Sequence, residues 1–357
     1  MLNYSFDNKT DNTFFSALRK RVNDHFANSN VRPTGGRKLL LKASLLIVSA
    51  IGIYVVLLFF TPPVVISLML CCLMGLNLSL IGFNVMHDGG HQSFSRHGWV
   101  NSVAAHMLNT LGGSAHFWQV KHNINHHTYT NIEGMDSDIN VKPFMRLHEG
   151  QPLLWFHRFQ HIYWVVLYGI SYLAWVFYED FQKYFSGRIS QIDGRKKLTI
   201  GQHFIFWTTK ILYILFYVLI PIYFVGFISW LVGFLLITFI CGVSISIVFQ
   251  LAHVVEGTQF FSADDGDKKN NWAIHQVRST ADFATGSRVL HWMLGGLNFQ
   301  IEHHLFPRIS HIHYPAISQY VKQTCHEYNI VYHEYKSMFA AIISHVTHLY
   351  HLGRPVR

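Results

Sequence analysis

The feature that most constrains this chain is a set of apolar runs too long for strands and apolar on every face of a helix. Residues 43–60 and 64–86 follow one another across Thr61-Pro62-Pro63, and residues 204–226 and 227–252 meet near Pro221-Ile222-Tyr223. Each run approaches the ~20 residues that cross a bilayer core. Neither connection carries a charge, and two prolines break the first. Two hairpins are therefore expected, each starting and finishing on one side of a membrane. Composition agrees, because only 13% of residues are charged, against roughly a quarter in a soluble domain.

The charges that remain are unevenly placed. The formal net charge is +9, and Lys and Arg concentrate in 1–42, 183–197 and 268–288, which puts those segments and both termini in the cytosol. Such a face suits anionic lipid head groups and a small acidic protein partner. No nucleic-acid motif accompanies it, so nucleic acid is not an expected partner. Within the polar segment 1–38, Phe14, Leu18, Val22 and Phe26 form a helical stripe. That stripe fits either a membrane surface or a cytosolic cap. Residues 162–178 are a further apolar stretch, flanked by His157, Arg158 and His161 on one side and Glu179-Asp180 on the other. It is expected to lie in the interface or re-enter. Lys210 is expected to snorkel from the cytosolic end of the second hairpin. Residues 264–269 read as an exposed turn. No secretory signal is visible before the first apolar run. The four cysteines read as buried small side chains rather than a disulfide framework.

There are 25 histidines, and their clustering carries the chemistry. His87-Asp88-Gly89-Gly90-His91 closes the second run. His122-Asn123-Ile124-Asn125-His126-His127 and Gln300-Ile301-Glu302-His303-His304 lie in polar segments. Residues four apart share a helical face, so pairs of imidazoles can converge on one ion. On a single α-helix, the second cluster offers ligands at i, i+4 and i+5. One such pair is weak evidence for a metal. Three clusters, two with adjacent histidines, are strong evidence, and abundant imidazole without thiolate suits Fe, Cu, Ni or Zn rather than Mg or Ca. One shared site also demands an even number of crossings between the clusters. The expected fold is an all-α integral-membrane domain over 1–357. Four transmembrane helices in two hairpins carry a helical cytosolic cap from 87–203 and 253–357.

HDGGH, HNINHH and QIEHH, in this order and interleaved with two hairpins, resemble the histidine boxes of membrane fatty acid desaturases. The stretches HHTYTNIEGMDSDI and GGLNFQIEHHLFPRISHIHYP strengthen the resemblance, which runs from about residue 14 to 330. The Gln at the head of the third box is similar to the front-end type. Position by position, the resemblance implies two iron ions held by His87, His91, His122, His126, His127, His303 and His304. An eighth ligand is His253, at the end of an apolar helix, and Gln300 stands where many relatives have His. Asp88, Asp136, Asp138, Glu256 and Glu302 are candidates to accept hydrogen bonds from the outer nitrogens of ligand imidazoles, or are simply exposed acids. His116 and His275 are nearer the boxes than the remaining histidines, which read as structural. Phe117, Trp118 and Trp272 fit either an acyl tunnel or the core.

The implied reaction is O₂-dependent insertion of a cis double bond into a fatty acyl chain, carried by CoA or lipid, with Δ6/Δ5-like regiochemistry. Many front-end relatives carry a fused cytochrome b5 domain with a His-Pro-Gly-Gly motif, which this sequence lacks. The expected electron donor is therefore a separate ferredoxin-like or cytochrome b5-like protein. The expected location is a bacterial cytoplasmic membrane rather than the endoplasmic reticulum. The competing reading of the same class is a hydroxylase of alkyl chains, sterols or carotenoids. A histidine-rich metal transporter is the competitor from another class, although its ligands belong near the bilayer midplane and these lie at the ends of the apolar runs.

Overall fold

The computed structural model describes residues 6, 13–190, 192, 197–262 and 271–355, so the turn expected at 264–269 lies outside the described residues. An amphipathic helix α1 (Thr13–Ser29) precedes the first hairpin, α2 (Gly36–Phe60) and α3 (Val64–Gly90). Thr61-Pro62-Pro63 separates these two because proline supplies no backbone donor and bars the helical conformation just before it. Helix α4 (Gly98–Thr110) and helix α5 (115–129) follow. Three long apolar helices come next: α6 (Trp155–Ser186), α7 (Ile200–Val225) and α8 (Phe227–His253). The C-terminal part is built from α9 (Trp272–Ser279), α10 (Arg288–Met293), α11 (Gln300–Leu305), α12 (Tyr314–Glu327) and α13 (Met338–Leu352). A two-residue parallel pair, β1 (Asp282–Phe283) and β2 (Glu334–Tyr335), ties this part together, with Asp282 opposite Glu334.

Five helices, α2, α3, α6, α7 and α8, are long and apolar enough to cross a membrane. Their outer faces leave Leu41, Val48, Val64, Val65, Ile200 and Ile228 exposed. An apolar belt of that extent marks a surface made for lipid. Helix α6 differs from the short segment expected at 162–178, since it continues at both ends to span 32 residues. Two of its polar flanking residues, His157 and Asp180, are buried and bonded internally. The clearest case is Asp180, which is buried and sits 2.9 Å from Lys210 Nζ. Lys210 therefore does not snorkel. It also donates to the carbonyls of Gly112 at 2.6 Å and Val176 at 2.8 Å, so three polar partners replace water around one buried ammonium.

The second hairpin also turns later than expected. Pro221 is inside α7, preceded by a widened turn over Leu215–Leu219 that accommodates its missing donor. The break falls at Gly226, whose φ of +79° is a conformation glycine adopts without strain. Helices α6 and α8 cross at glycines. A Cβ on Gly242 would stand 2.6 Å from the carbonyl oxygens of Tyr168 and Gly169, which is the close approach that small residues permit between apolar helices.

The stripe on α1 packs against protein. Phe14, Leu18 and Val22 are buried with Ala273, Val277, Phe299, Ile301, Tyr314 and Val321, so α1 covers the C-terminal helices that carry the third histidine box. All four cysteines are free.

Candidate metal centre

Each histidine is delivered by an element that ends or widens where it is needed. Helix α3 widens over Gly82–Met86 just before His87, and His91 follows at its C-terminal end. Helix α5 contains a wide turn over Val120–His126 in place of the plain α-helix expected for the second cluster. Hydrogen bonds from i to i+5 enlarge the turn, so His122, His126 and His127 project together toward one region. His253 is the last residue of α8. His303 and His304 lie on α11.

The structure brings these eight histidines together, all buried. One nitrogen from each of His87, His91, His122 and His303 lies within 4.8 Å of the others, and the same holds for His126, His253 and His304. His127 joins His303 and His304 in a third group and so bridges the first two. Its ring centroid is 4.6 Å from that of His303 and 4.4 Å from that of His304.

The inner nitrogens give the test of whether metal fits. Nε2 of His87, His91, His126, His253, His303 and His304 is buried without a hydrogen-bond partner, as is Nδ1 of His127. A buried unsatisfied nitrogen costs roughly 1–3 kcal/mol, so the six Nε2 atoms, beside His122 and His127 whose own Nε2 atoms lie 3.2 Å apart, call for a shared electrophile. Several outer nitrogens are meanwhile occupied. Nδ1 of His126 lies 3.0 Å from Asp136 Oδ2, that of His304 lies 2.8 Å from Gln276 Oε1, and that of His253 lies 3.2 Å from the Ser279 carbonyl. Donation from Nδ1–H fixes the tautomer that leaves the Nε2 lone pair free. The Tyr314 hydroxyl lies 3.1 Å from His303 Nδ1.

Burial, reinforced by the neighbouring imidazoles, holds His91, His122, His127, His303 and His304 well below the ordinary imidazole range. Neutral imidazole is the form that binds metal. His126 moves the other way: burial opposes its charge most strongly, but Asp136 and Asp138 together outweigh it and raise the pKa. Asp136→Ala is accordingly expected to weaken metal binding about 10–100-fold, read by titrating the purified chain with ferrous iron.

The other expected site residues fall elsewhere, apart from Asp138. It bonds Lys121 at 2.7 Å, lies 3.5 Å from His126, and has a carboxylate oxygen within 4.8 Å of nitrogens of both His122 and His126. Asp88 faces His311 Nδ1 at 3.0 Å and accepts from the Ser310 hydroxyl at 2.7 Å. It follows His87 directly, about 100° around the helix, so it points away from the cluster. Glu302, likewise adjacent to His303, accepts from the Tyr332 hydroxyl at 3.0 Å. Burial and the neighbouring Asp282 raise its pKa well above the usual carboxylate range. Glu256 is exposed. Gln300 donates its amide to the Leu297 carbonyl at 2.9 Å. His275 donates to the Thr130 carbonyl at 2.7 Å, and His116 lies beside the Gln202 amide at 3.2 Å. Gln276, Ser279 and Tyr314, which hold outer nitrogens, carry no pattern in the sequence that would have singled them out.

A cavity of about 1520 Å³ opens beside His87, His122, His126 and His253. Met86, Leu108, Tyr172, Trp175 and Phe249 line its apolar part, and Lys183 and Arg188 line a polar part. Trp118 belongs to its wall and stacks on His122 with centroids 4.5 Å apart. Phe117 instead packs on Phe206, and Trp272 donates to the His127 carbonyl at 3.1 Å.

Comparison with known proteins agrees with this geometry. Residues 61–336 match the family model for fatty acid desaturases. The chain is 34% identical over 347 residues to an acyl-lipid (8-3)-desaturase of Physcomitrium patens, covering 95% of this chain and 72% of the relative. It is 31% identical to an sn-1 linoleoyl-lipid 6-desaturase of Arthrospira platensis, covering 94% and 91%. A protein with the same description from Synechocystis sp. is 30% identical over 96% of both chains. The family match contains all three histidine boxes together with His253, and the chain belongs to the fatty acid desaturase family.

Proposed function

We propose that this chain is a front-end desaturase of lipid-linked fatty acyl chains, using two iron ions held by the eight clustered histidines. The observation that carries the reading is the set of buried, unpartnered imidazole nitrogens converging beside an apolar cavity. His87, His91, His122 and His303 would hold one iron, and His126, His253 and His304 the other, with His127 between them. Gln300, its amide committed to Leu297, is left out of the set. When bound, iron supplies the oxidising power, drawn from O₂ and two external electrons, for taking one hydrogen from each of two adjacent carbons, with two protons and both oxygen atoms leaving as water.

The chain's own residues position the substrate and exclude water. Met86, Leu108, Trp175 and Phe249 offer an acyl chain a dry wall beside His87 and His253, and holding one C–C bond there is the positional part of the catalysis. Asp136 keeps His126 oriented, and Trp118 packs His122 from the cavity side. The lipid-linked substrate and the regiochemistry rest on the relatives' descriptions as acyl-lipid and linoleoyl-lipid desaturases.

The same cluster supports the topology. His126 and His253 rings lie 4.7 Å apart, so the ends of α5 and α8 share one side of the membrane. Three long helices intervene, and an even number must cross. Helices α7 and α8 form the hairpin, leaving α6, with its buried Asp180, in the interface. That gives four spans with the histidines, the cap and both termini on the cytosolic side, where a separate electron carrier can reach them.

Expression in a host lacking polyunsaturated lipids, with defined fatty acids fed, tests the reading. Products lighter by two hydrogens, with the new bond between an existing one and the carboxyl end, are expected in the lipid fraction. Products heavier by one oxygen would instead identify a hydroxylase. Ser246, which lines the cavity and bonds Ser171 at 2.8 Å, gives a second check. Ser246→Phe overfills the cavity, a change that costs typically about 1–3 kcal/mol, and should move the products toward shorter chains.

A further inference from the structure

We propose that a second cleft, at the start of α6, binds the phosphate of an anionic membrane phospholipid. The cleft has a volume of about 600 Å³ and shares no lining residue with the cavity at the histidines. Two arginines line it, Arg158 and Arg354, and among the described residues no carboxylate does. Both are stacked on aromatic rings. The Arg158 guanidinium lies 4.7 Å from the Phe159 ring centre, and that of Arg354 lies 3.2 Å from the Tyr350 ring centre. Stacking fixes the plane of each guanidinium; Arg354 Nη1 is held by the Tyr350 carbonyl at 2.7 Å, and the remaining N–H groups of the two arginines can meet the oxygens of a phosphate.

The cleft is held rigidly although its two arginines lie far apart in sequence. The last turn of α13 is fastened to the start of α6 by Gln160, which donates to the Leu349 carbonyl at 2.8 Å, and to the loop before α6 by Arg146, which donates to the Leu352 carbonyl at 2.6 Å. Gly353 sits directly on the backbone of His157, where any Cβ would come within 2.2 Å of the carbonyl oxygen. Those contacts bring Arg354 into the same cleft as Arg158 before any ligand arrives, which lowers the cost of binding.

The surroundings favour a lipid over a free anion. Trp155 and Ile162, both on the cleft, are 74% and 66% exposed. Trp155, Phe159, Ile162, Val166 and Ile170 are all exposed and recur at helical spacing, so they form one apolar strip leading away from the arginines. A tryptophan beside cations at the head of such a strip is the pattern of a lipid interface. A phospholipid uses both parts, phosphate on the arginines and acyl chains along α6, whereas inorganic phosphate uses only the first. The inference assumes that α6 contacts lipid and is independent of the reaction at the histidines.

The test uses the full-length, iron-loaded chain in maltoside micelles, titrated with dioleoyl phosphatidylglycerol, dioleoylglycerol or inorganic phosphate, with bound lipid counted by native mass spectrometry. One tightly retained phosphatidylglycerol is expected. Arg158→Ala should weaken it about tenfold and the double variant Arg158→Ala/Arg354→Ala about 100-fold, each charge-assisted bond being worth about one factor of ten. Trp155→Ala keeps both arginines and should also weaken retention, and Arg158→Lys/Arg354→Lys should recover only part of the loss. Unchanged retention in the double alanine variant would overturn the proposal. So would equal retention of dioleoylglycerol, or displacement of the lipid by inorganic phosphate at matching concentration.

Discussion

His303→Ala is expected to abolish desaturation and to leave the purified chain with less than its full complement of iron. The reason is geometric. His303 belongs to the group with His87, His91 and His122 and also to the group with His127 and His304, so its removal takes a donor from the region where the two sites meet. The loss should exceed the about 10–100-fold expected when only an outer partner such as Asp136 is removed. Comparing the two variants makes the test specific. Both should fold, because His303 is replaced by a smaller side chain within a packed cluster, and iron content measured beside activity separates loss of metal from loss of structure. His303→Ala retaining activity within tenfold of the parent, with full iron, would contradict the assignment.

The second large effect concerns stability. Lys210→Met leaves Asp180 buried without its cation, and Asp180→Asn leaves Lys210 without its anion. Asp180 also accepts from the Ser114 backbone N–H at 2.8 Å, so the pair joins α6, α7 and the turn after α4. Removing one partner of a buried pair costs about 3–5 kcal/mol, whereas replacing both by neutral groups of similar size costs much less. Thermal unfolding in detergent should therefore show a large loss for each single variant and partial recovery in Asp180→Asn/Lys210→Met. Additive losses would mean that the two residues act separately. Leu111, Gly113 and Val176 lie beside this pair and line the cavity, so the single variants should also alter the product distribution.

What could be read from the sequence was whatever repeats at short range. The apolar runs gave α2, α3, α7 and α8 to within a few residues at most ends, because length and hydropathy alone decide a span. The three boxes and His253 came from spacing and resemblance, and the structure gathers those eight histidines. Several of the failures share one cause: they depend on partners distant in sequence. Lys210 looks like an interfacial lysine until Asp180, 30 residues earlier, is placed against it. Asp88 looks like a partner for its neighbours until His311 is placed beside it. The widened turn in α5 has no signature in composition, and Pro221 marks a turn in sequence that α7 absorbs by widening one residue group earlier. Gln276 and Tyr314 reach the cluster only through packing. The stripe on α1 was legible as a stripe, but its target was set by the third-box helices that it covers.

The most direct measurement of the central claim is metal content together with product mass on one purified sample. Two irons per chain, with substrate losing two hydrogens when O₂ and a reduced electron carrier are supplied, is the predicted result. A chain that folds, retains all eight histidines and carries no iron, or that adds oxygen to the acyl chain instead of removing hydrogen, would contradict it.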